Sequence, residues 1–308
     1  MALFENFWDY LIPGLTLGAV YAVIAIGYTL VYGVLQLINF AHSEVFMAGG
    51  FGGLLVLSAL MGDAQPSGAA SVLFVVLGIA AGALAGGGTA YALERVAYRP
   101  LRRRGAPRLI FLISAVGASF FLYNLAGRLF GRNPVPIPAL YENGVLFTVF
   151  GTPVRITQVL MLGAAIVMMI VLDLVVNRTR MGAGIRAVAQ DSETASLMGV
   201  NIDSVIARTF IIGGLLGGVA GFLFGMFSTV TYTMGFLPGI KAFAAAVLGG
   251  IGNIRGAMLG GMLLGIVENL SAPVFGTAWV DVTAFLVLVL VLMFRPTGIL
   301  GERLGRSA

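Results

Sequence analysis

Nine stretches of this chain carry almost nothing but apolar side chains: residues 11–33, 44–61, 71–93, 109–130, 158–176, 208–228, 240–250, 257–272 and 279–294. Roughly 20 such residues in a row cross a bilayer as one helix. A lone strand would leave its backbone N–H and C=O groups unpaired in lipid, so the segments are expected to be helices. A membrane β-barrel would alternate apolar and polar positions, whereas residues 285–294 (FLVLVLVLMF) are apolar throughout. The run 240–250 is too short to span and reads as a half-helix or re-entrant segment. The expected fold class is all-α, a polytopic transmembrane helical bundle with about eight or nine membrane segments including short ones, in a single domain over 1–308.

Composition supports this and removes other classes. Charged residues make up 10% of the chain and hydrophobic ones 59%, against about 25% charged in soluble domains. There are no cysteines, hence no disulfide, thiolate metal site or cysteine nucleophile, and one histidine, His42, hence no histidine cluster; no cofactor or metal is expected. The pattern G-x-x-x-x-G-K-[ST] is absent, and Lys241 is the sole lysine, so hydrolysis of ATP by the P-loop route is excluded. The net charge of +5 and pI near 9.8 do not indicate nucleic acid, because the arginines sit in the loops between apolar runs. The segment Met1–Tyr10 carries Glu5 and Asp9 and no basic residue, so no cleavable signal peptide is expected.

Arginine placement gives the expected topology. Six arginines lie between Arg95 and Arg108, Arg178, Arg180 and Arg186 lie in 177–207, and Arg295, Arg303 and Arg306 lie at the C-terminus. The positive-inside rule sends these three regions to the cytoplasm, within a cell inner membrane. The linker Gly62–Gly68 and the N-terminus then face outside. The outer segment 131–157 is the longest there. Pro134, Pro136 and Pro138 suggest an extended start, and VLFTVF, Gly151-Thr152-Pro153 and VRIT a small hairpin. The segment reads either as a simple connector or, since loops of this length are usually functional, as a docking surface.

The chain holds 44 glycines, about twice the usual share. Many recur four apart: Gly14/Gly18, Gly78/Gly82/Gly86, Gly217/Gly221/Gly225, Gly252/Gly256/Gly260 and Gly261/Gly265. Faces of this kind let membrane helices approach closely.

Polar interruptions in apolar sequence ask for a reason. Gln36–Glu44 (QLINFAHSE) brings Asn39, His42 and Glu44 together. It reads either as a cytoplasmic turn with Ser43 or Asn39 as helix cap, or as a break buried in protein and lining a pathway. Gly249–Gly256 (GGIGNIRG) lacks the spacing and preceding strand of a phosphate loop and reads as a helix break holding Arg255. Glu268 follows it within an apolar run and is expected to pair with a basic group or cap a helix. Asn39, His42, Glu44 and Glu268 are the candidate path-lining residues. Glu44 and Glu268 also fit an ion-coupled carrier. An intramembrane serine hydrolase is disfavoured, since His42 adjoins Ser43 in sequence and no G-x-S-G pattern is present.

The segment 177–207 reads as one short amphipathic helix outside the membrane, with Asp191 or Ser192 as cap and Gly199 as stop. Such a knob is shaped to enter a groove on another protein. Its Glu193-Thr194-Ala195, Ser196-Leu197-Met198, Gly199 resembles the coupling motif E-A-A-x-x-x-G of ABC importer permeases, with threonine at the second position and without the family's later I-x-L-P element. Three further blocks resemble the branched-chain amino acid permeases more closely: GLTLGAVYAVIAIGYTLVYGVLQLINFAHSE at 14–44, RAVAQDSETASLMGVN at 186–201 and KAFAAAVLGGIGNIRGAMLGGMLLGIVEN at 241–269. The chain is similar to the shorter of the two homologous permeases of such systems. The resemblance implies translocation of leucine, isoleucine and valine, with urea, short amides or other amino acids as alternatives. It implies four kinds of partner: a second homologous permease, two ATP-binding cassette ATPase subunits, an extracytoplasmic substrate-binding protein at 131–157 and the lipid bilayer. It also makes Glu193, Thr194, Ala195 and Gly199 the ATPase-coupling residues of a chain that is not itself an enzyme.

Overall fold

The computed structural model describes residues 6–61, 66, 68–141 and 144–301. Glu5, Arg303, Arg306 and most of the linker Gly62–Gly68 lie outside the described residues. The order is α1 (Phe7–Leu35), α2 (His42–Met61), α3 (Ala69–Leu93), a π-helical stretch (Glu94–Tyr98) leading into α4 (Arg99–Arg103), α5 (Arg108–Leu129), β1 (Val145–Val149), β2 (Thr152–Arg155), α6 (Ile156–Arg178), α7 (Arg180–Gln190), α8 (Ser192–Leu197), α9 (Ile202–Phe227), α10 (Phe236–Gly249), α11 (Ile254–Phe275) and, after a 3-10 turn (Thr277–Trp279), α12 (Val280–Phe294). Among the described residues, eight helices are long and apolar enough to cross a membrane; α10, with 14 residues, is the short one expected at 240–250.

α1 is the axis of the bundle. From Ala19 to Val31 every residue is buried, which is why its sequence is apolar on all faces. α12 buries only Ala284, and the exposed sides of α3, α5, α6 and α12 are covered with leucine, valine and phenylalanine, the surface a protein presents to lipid rather than water.

Glycines set the closest crossings. A Cβ added at Gly265 would lie 2.3 Å from the backbone of Gly18, where α11 crosses α1. α2, α3 and α9 meet at Gly49, Gly82, Gly86, Gly214 and Gly218; a Cβ at Gly218 would lie 2.1 Å from the Gly82 carbonyl oxygen. Backbone cannot yield as a side chain can. Gly218→Ala is therefore expected to cost about 1–3 kcal/mol through overpacking, while Gly88→Ala in α3, with open space around it, costs little. Thermal unfolding of the two variants in detergent checks this, and equal melting temperatures would refute it.

The hairpin forms within 131–157, with Val149 opposite Thr152. Its turn is Phe150–Gly151, both at positive φ (50° and 91°), as a tight two-residue connection requires; Pro153 belongs to β2, not to the turn. Phe150 stacks on Trp8 at the start of α1, with centroids 4.7 Å apart. The extended start is present too, for Val135 bridges Val230.

The segment 177–207 departs from the single helix expected. It divides between the end of α6, α7, α8 and the start of α9 because side chains cap three separate starts. Thr179 Oγ1 accepts the N–H of Gly182 at 3.1 Å, Asp191 accepts those of Glu193 and Thr194 at 2.9 and 3.1 Å, and Asn201 accepts that of Ser204 at 3.0 Å. The arginines 95–103 also belong to a helix, the continuation of α3, rather than to a loop.

Candidate functional site

α1 ends where Gln36 turns left-handed (φ 51°, ψ 33°). The chain then folds back into the bundle. The imidazole of His42, the first residue of α2, occupies the space a Cβ on Gly27 would need. Gly27 lies eight residues before the end of α1, about 12 Å up its axis at 1.5 Å per residue. α2 thus begins inside the bundle, and the inner part of the interruption is buried in protein while Gln36 stays exposed and Leu37, Ile38 and Phe40 are half-buried: Asn39, His42 and Glu44 are exposed by only 2%, 1% and 2%.

Asn39 and Glu44 are each partly satisfied. Asn39 Oδ1 accepts the Tyr98 hydroxyl at 2.7 Å and the Ala41 N–H at 3.1 Å. Glu44 Oε1 accepts the hydroxyls of Ser119 at 3.0 Å and Ser43 at 3.2 Å. His42 meets the ring of Tyr28 edge-on, 5.0 Å between centroids. Among the described residues, Asn39 Nδ2, His42 Nε2, Glu44 Oε2 and Thr29 Oγ1 are buried with no partner. Such orphans are rare in folded proteins and call for an explanation.

α10 starts at the same place. A Cβ at Gly235 would meet the Ser43 carbonyl oxygen, and one at Gly239 would meet Ser43 Cβ and, at 3.4 Å, Tyr28 Oη. Two helix N-termini, of α2 and α10, thereby converge beside Tyr28 and Ser43, each carrying the partial positive charge of its unpaired N–H groups.

Glu268 has the basic partner expected of it, in a cluster apart from Asn39, His42 and Glu44. Lys241 Nζ of α10 lies 2.6 Å from Glu268 Oε1 of α11 and 2.6 Å from Asp281 Oδ1 of α12. Lys241 is 3% exposed, and among the described residues Glu268 Oε2 has no partner. Arg255 is exposed and paired with Asp173 at 3.2 Å.

At the arginine-rich end, α8 carries Glu193, Thr194 and Ala195, and Gly199 closes it at φ +85°. The Thr194 hydroxyl and backbone N–H, with the Glu193 N–H, hold the Asp191 carboxyl below the usual carboxylate range. Leu197 and Met198 are 83% and 81% exposed at the tip, which is unusual for large apolar side chains outside a membrane span. Ala195 is buried beneath it.

Sequence reasoning passed over the contacts that link these places. Asp203, on the first turn of α9, binds Arg99, Arg102 and Arg103 at 3.0, 2.6 and 3.0 Å. Arg102 also binds Glu94, fully buried in the π-helical stretch, at 2.9 Å. Tyr98 closes that stretch and holds Asn39. Lys241 and Asp281 were the legible omissions, being single charges in apolar runs.

Comparison with known proteins joins these features to one family. The family model described as "Branched-chain amino acid transport system / permease component" matches residues 10–292. The high-affinity branched-chain amino acid transport system permease protein BraD of Pseudomonas aeruginosa is 45% identical over 304 residues, covering 96% of both chains. LivH of Escherichia coli K12, of the same description, is 43% identical and covers 97% of both. The fructose import permease protein FrcC of Rhizobium meliloti is 28% identical, over 76% of this chain and 66% of its own. No solved structure matches. With eight apolar helices of membrane-crossing length and a family model covering nearly its whole length, the chain is a multi-pass membrane protein and belongs to the branched-chain amino acid transport permease family.

Proposed function

We propose that this chain is the gate of an ATP-driven importer for leucine, isoleucine and valine, paired with a second permease and driven by two separate ATPase subunits. The arginine-rich end faces the cytoplasm. The ATPases grip the tip of α8, where Leu197 and Met198 enter a groove and Glu193, Thr194 and Gly199 fix the angle of the knob. The outer hairpin, with Leu146, Phe147 and Phe150 exposed, receives the substrate-binding protein.

The observation that carries this reading is a set of contacts between the start of α9, just after the knob, and the buried break: Asp203 binds Arg102, Arg102 binds Glu94, and Tyr98, at the far end of the same π-helical stretch as Glu94, donates to Asn39. Movement of α8 tilts α9, Asp203 carries the arginines, and Tyr98 displaces Asn39. The break then opens, and the orphaned atoms of Thr29, Asn39, His42 and Glu44 acquire water or substrate as partners. Convergent helix N-termini favour the substrate carboxylate there, and Phe40, Tyr28 and Phe243, which pack together, offer an apolar wall for its side chain. The substrate shifts the gate only by binding its two states unequally.

Asp203→Asn keeps the size of the side chain but weakens its hold on three arginines. Uptake of labelled leucine by cells expressing the complete system is expected to fall roughly tenfold, within the usual range of coupling energies, with the protein still inserted at normal level. Unchanged uptake would remove the relay. Competition of leucine uptake by valine, isoleucine, urea and acetamide tests the cargo: the first two compete, and competition by urea or acetamide alone would reassign it.

A further inference from the structure

Where α7 crosses α9, a surface groove of about 440 Å³ opens between the two helices. Its walls are carbon: Met181 and Ala187 from α7, Val205 from α9 and Val200 from the turn between α8 and α9. Its charged lining is Arg180, at the start of α7, and Arg208, on α9. Several arginines at this end of the bundle are engaged elsewhere. Arg99, Arg102 and Arg103 are held by Asp203, Arg186 by the Val176 carbonyl and Arg255 by Asp173. Arg180 and Arg208 are exposed, and among the described residues neither has a hydrogen bond or an ion pair.

The groove sits at the membrane boundary, since the spanning helix α6 ends at Arg178 and the spanning helix α9 begins at Ile202. Arg208 is six residues into α9, about 9 Å up its axis, so its guanidinium must reach back toward the headgroup level. Two free cations above an apolar trough match an amphiphile: a phosphate on the arginines and an acyl chain along Met181, Ala187 and Val205. A free phosphate would leave the trough bare. Basic pockets between membrane helices on the cytoplasmic side take anionic headgroups in this way. We propose that Arg180 and Arg208 form a binding site for one anionic phospholipid, next to the coupling knob. The site rests on the reading that this end of the bundle lies at a membrane surface.

Native mass spectrometry of the purified full chain, titrated with phosphatidylglycerol or phosphatidylcholine in detergent, tests the site. The wild type is expected to retain one phosphatidylglycerol in preference to phosphatidylcholine. Each arginine contributes about a factor of five near a headgroup, so Arg180→Gln with Arg208→Gln is expected to weaken retention at least tenfold. Arg104→Gln, outside the groove, leaves it unchanged, and Ala187→Trp, which fills the trough without altering charge, lowers it. Equal retention by the double variant overturns the site. Displacement by excess inorganic phosphate overturns the lipid assignment, as does a double variant that keeps the lipid but loses a co-expressed ATPase. Orientation is read separately: the chain has no cysteine, so the accessibility of Arg104→Cys to an impermeant thiol reagent reports which side this end faces, whatever the lipid result.

Discussion

Cells expressing the complete importer with Leu197→Glu and Met198→Glu in this chain are expected to lose branched-chain amino acid uptake by at least two orders of magnitude, with the protein inserted at normal level. The two side chains are 83% and 81% exposed and make no part of the bundle core, so their replacement cannot unfold it. Surface substitutions of this kind stay within about 0.5 kcal/mol of neutral for folding. Burying two carboxylates in an apolar groove of an ATPase, by contrast, costs several kcal/mol each, and each 1.4 kcal/mol is tenfold in affinity. Gly199→Trp acts on the same step differently. No atom lies within 4 Å of the added Cβ, but φ of +85° is strained for any side chain that has one. The knob is therefore expected to tilt rather than the bundle to melt. Glu193→Arg reverses charge at the first turn of α8 and is expected to fail in transport as well. Normal uptake by the glutamate pair would remove the coupling assignment of α8.

Lys241→Met is expected to destabilise the bundle itself, by about 3–5 kcal/mol, the usual cost of breaking a buried ion pair by deleting one partner. Among the described residues Lys241 is the one cation joining Glu268 and Asp281, so its loss leaves there two carboxylates facing each other across α11 and α12 with no counter-charge. The partner change Lys241→Met with Glu268→Gln removes the more deeply buried of the two uncompensated charges and is expected to recover most of the stability. Melting temperatures in detergent for the single and double variants give the answer. A double variant no more stable than the single one would mean that Lys241 serves packing and not charge balance.

What the sequence disclosed and what it withheld follow from the range of each interaction. Helices are local, and the apolar runs located all eight long ones and the half-helix α10. Most of the glycine spacings marked crossings, as where Gly14, Gly18, Gly261 and Gly265 face one another, but Gly252 lies in a turn with open space around it. The hairpin was visible from its β-branched residues and Gly151. The division of 177–207 was missed because it depends on Thr179 and Asn201, short polar side chains that cap only when the flanking backbone is extended. The depth of the break at Gln36–Glu44 was left open between a surface turn and a buried interruption. It is decided by contacts with Gly27 and Tyr98, the second 59 positions from its partner Asn39. The network around Asp203 joins residues about a hundred positions apart, and no periodicity encodes such a pairing. Lys241 was different: a lone lysine in an apolar run must find a carboxylate, and Glu268 and Asp281 were the acidic residues in the neighbouring runs.

On the proposed reading the chain is a gate without an engine. Reconstitution separates gate from engine most directly: the purified permease pair is placed in proteoliposomes loaded with binding protein and substrate, with and without the ATPase subunits and ATP. Concentrative leucine transport is expected only when ATPases and ATP are both present, and an imposed proton or sodium gradient is expected to contribute nothing. Uphill transport by the permeases alone under such a gradient would contradict it, and would return Glu44 and Glu268 to the role of ion-binding carboxylates.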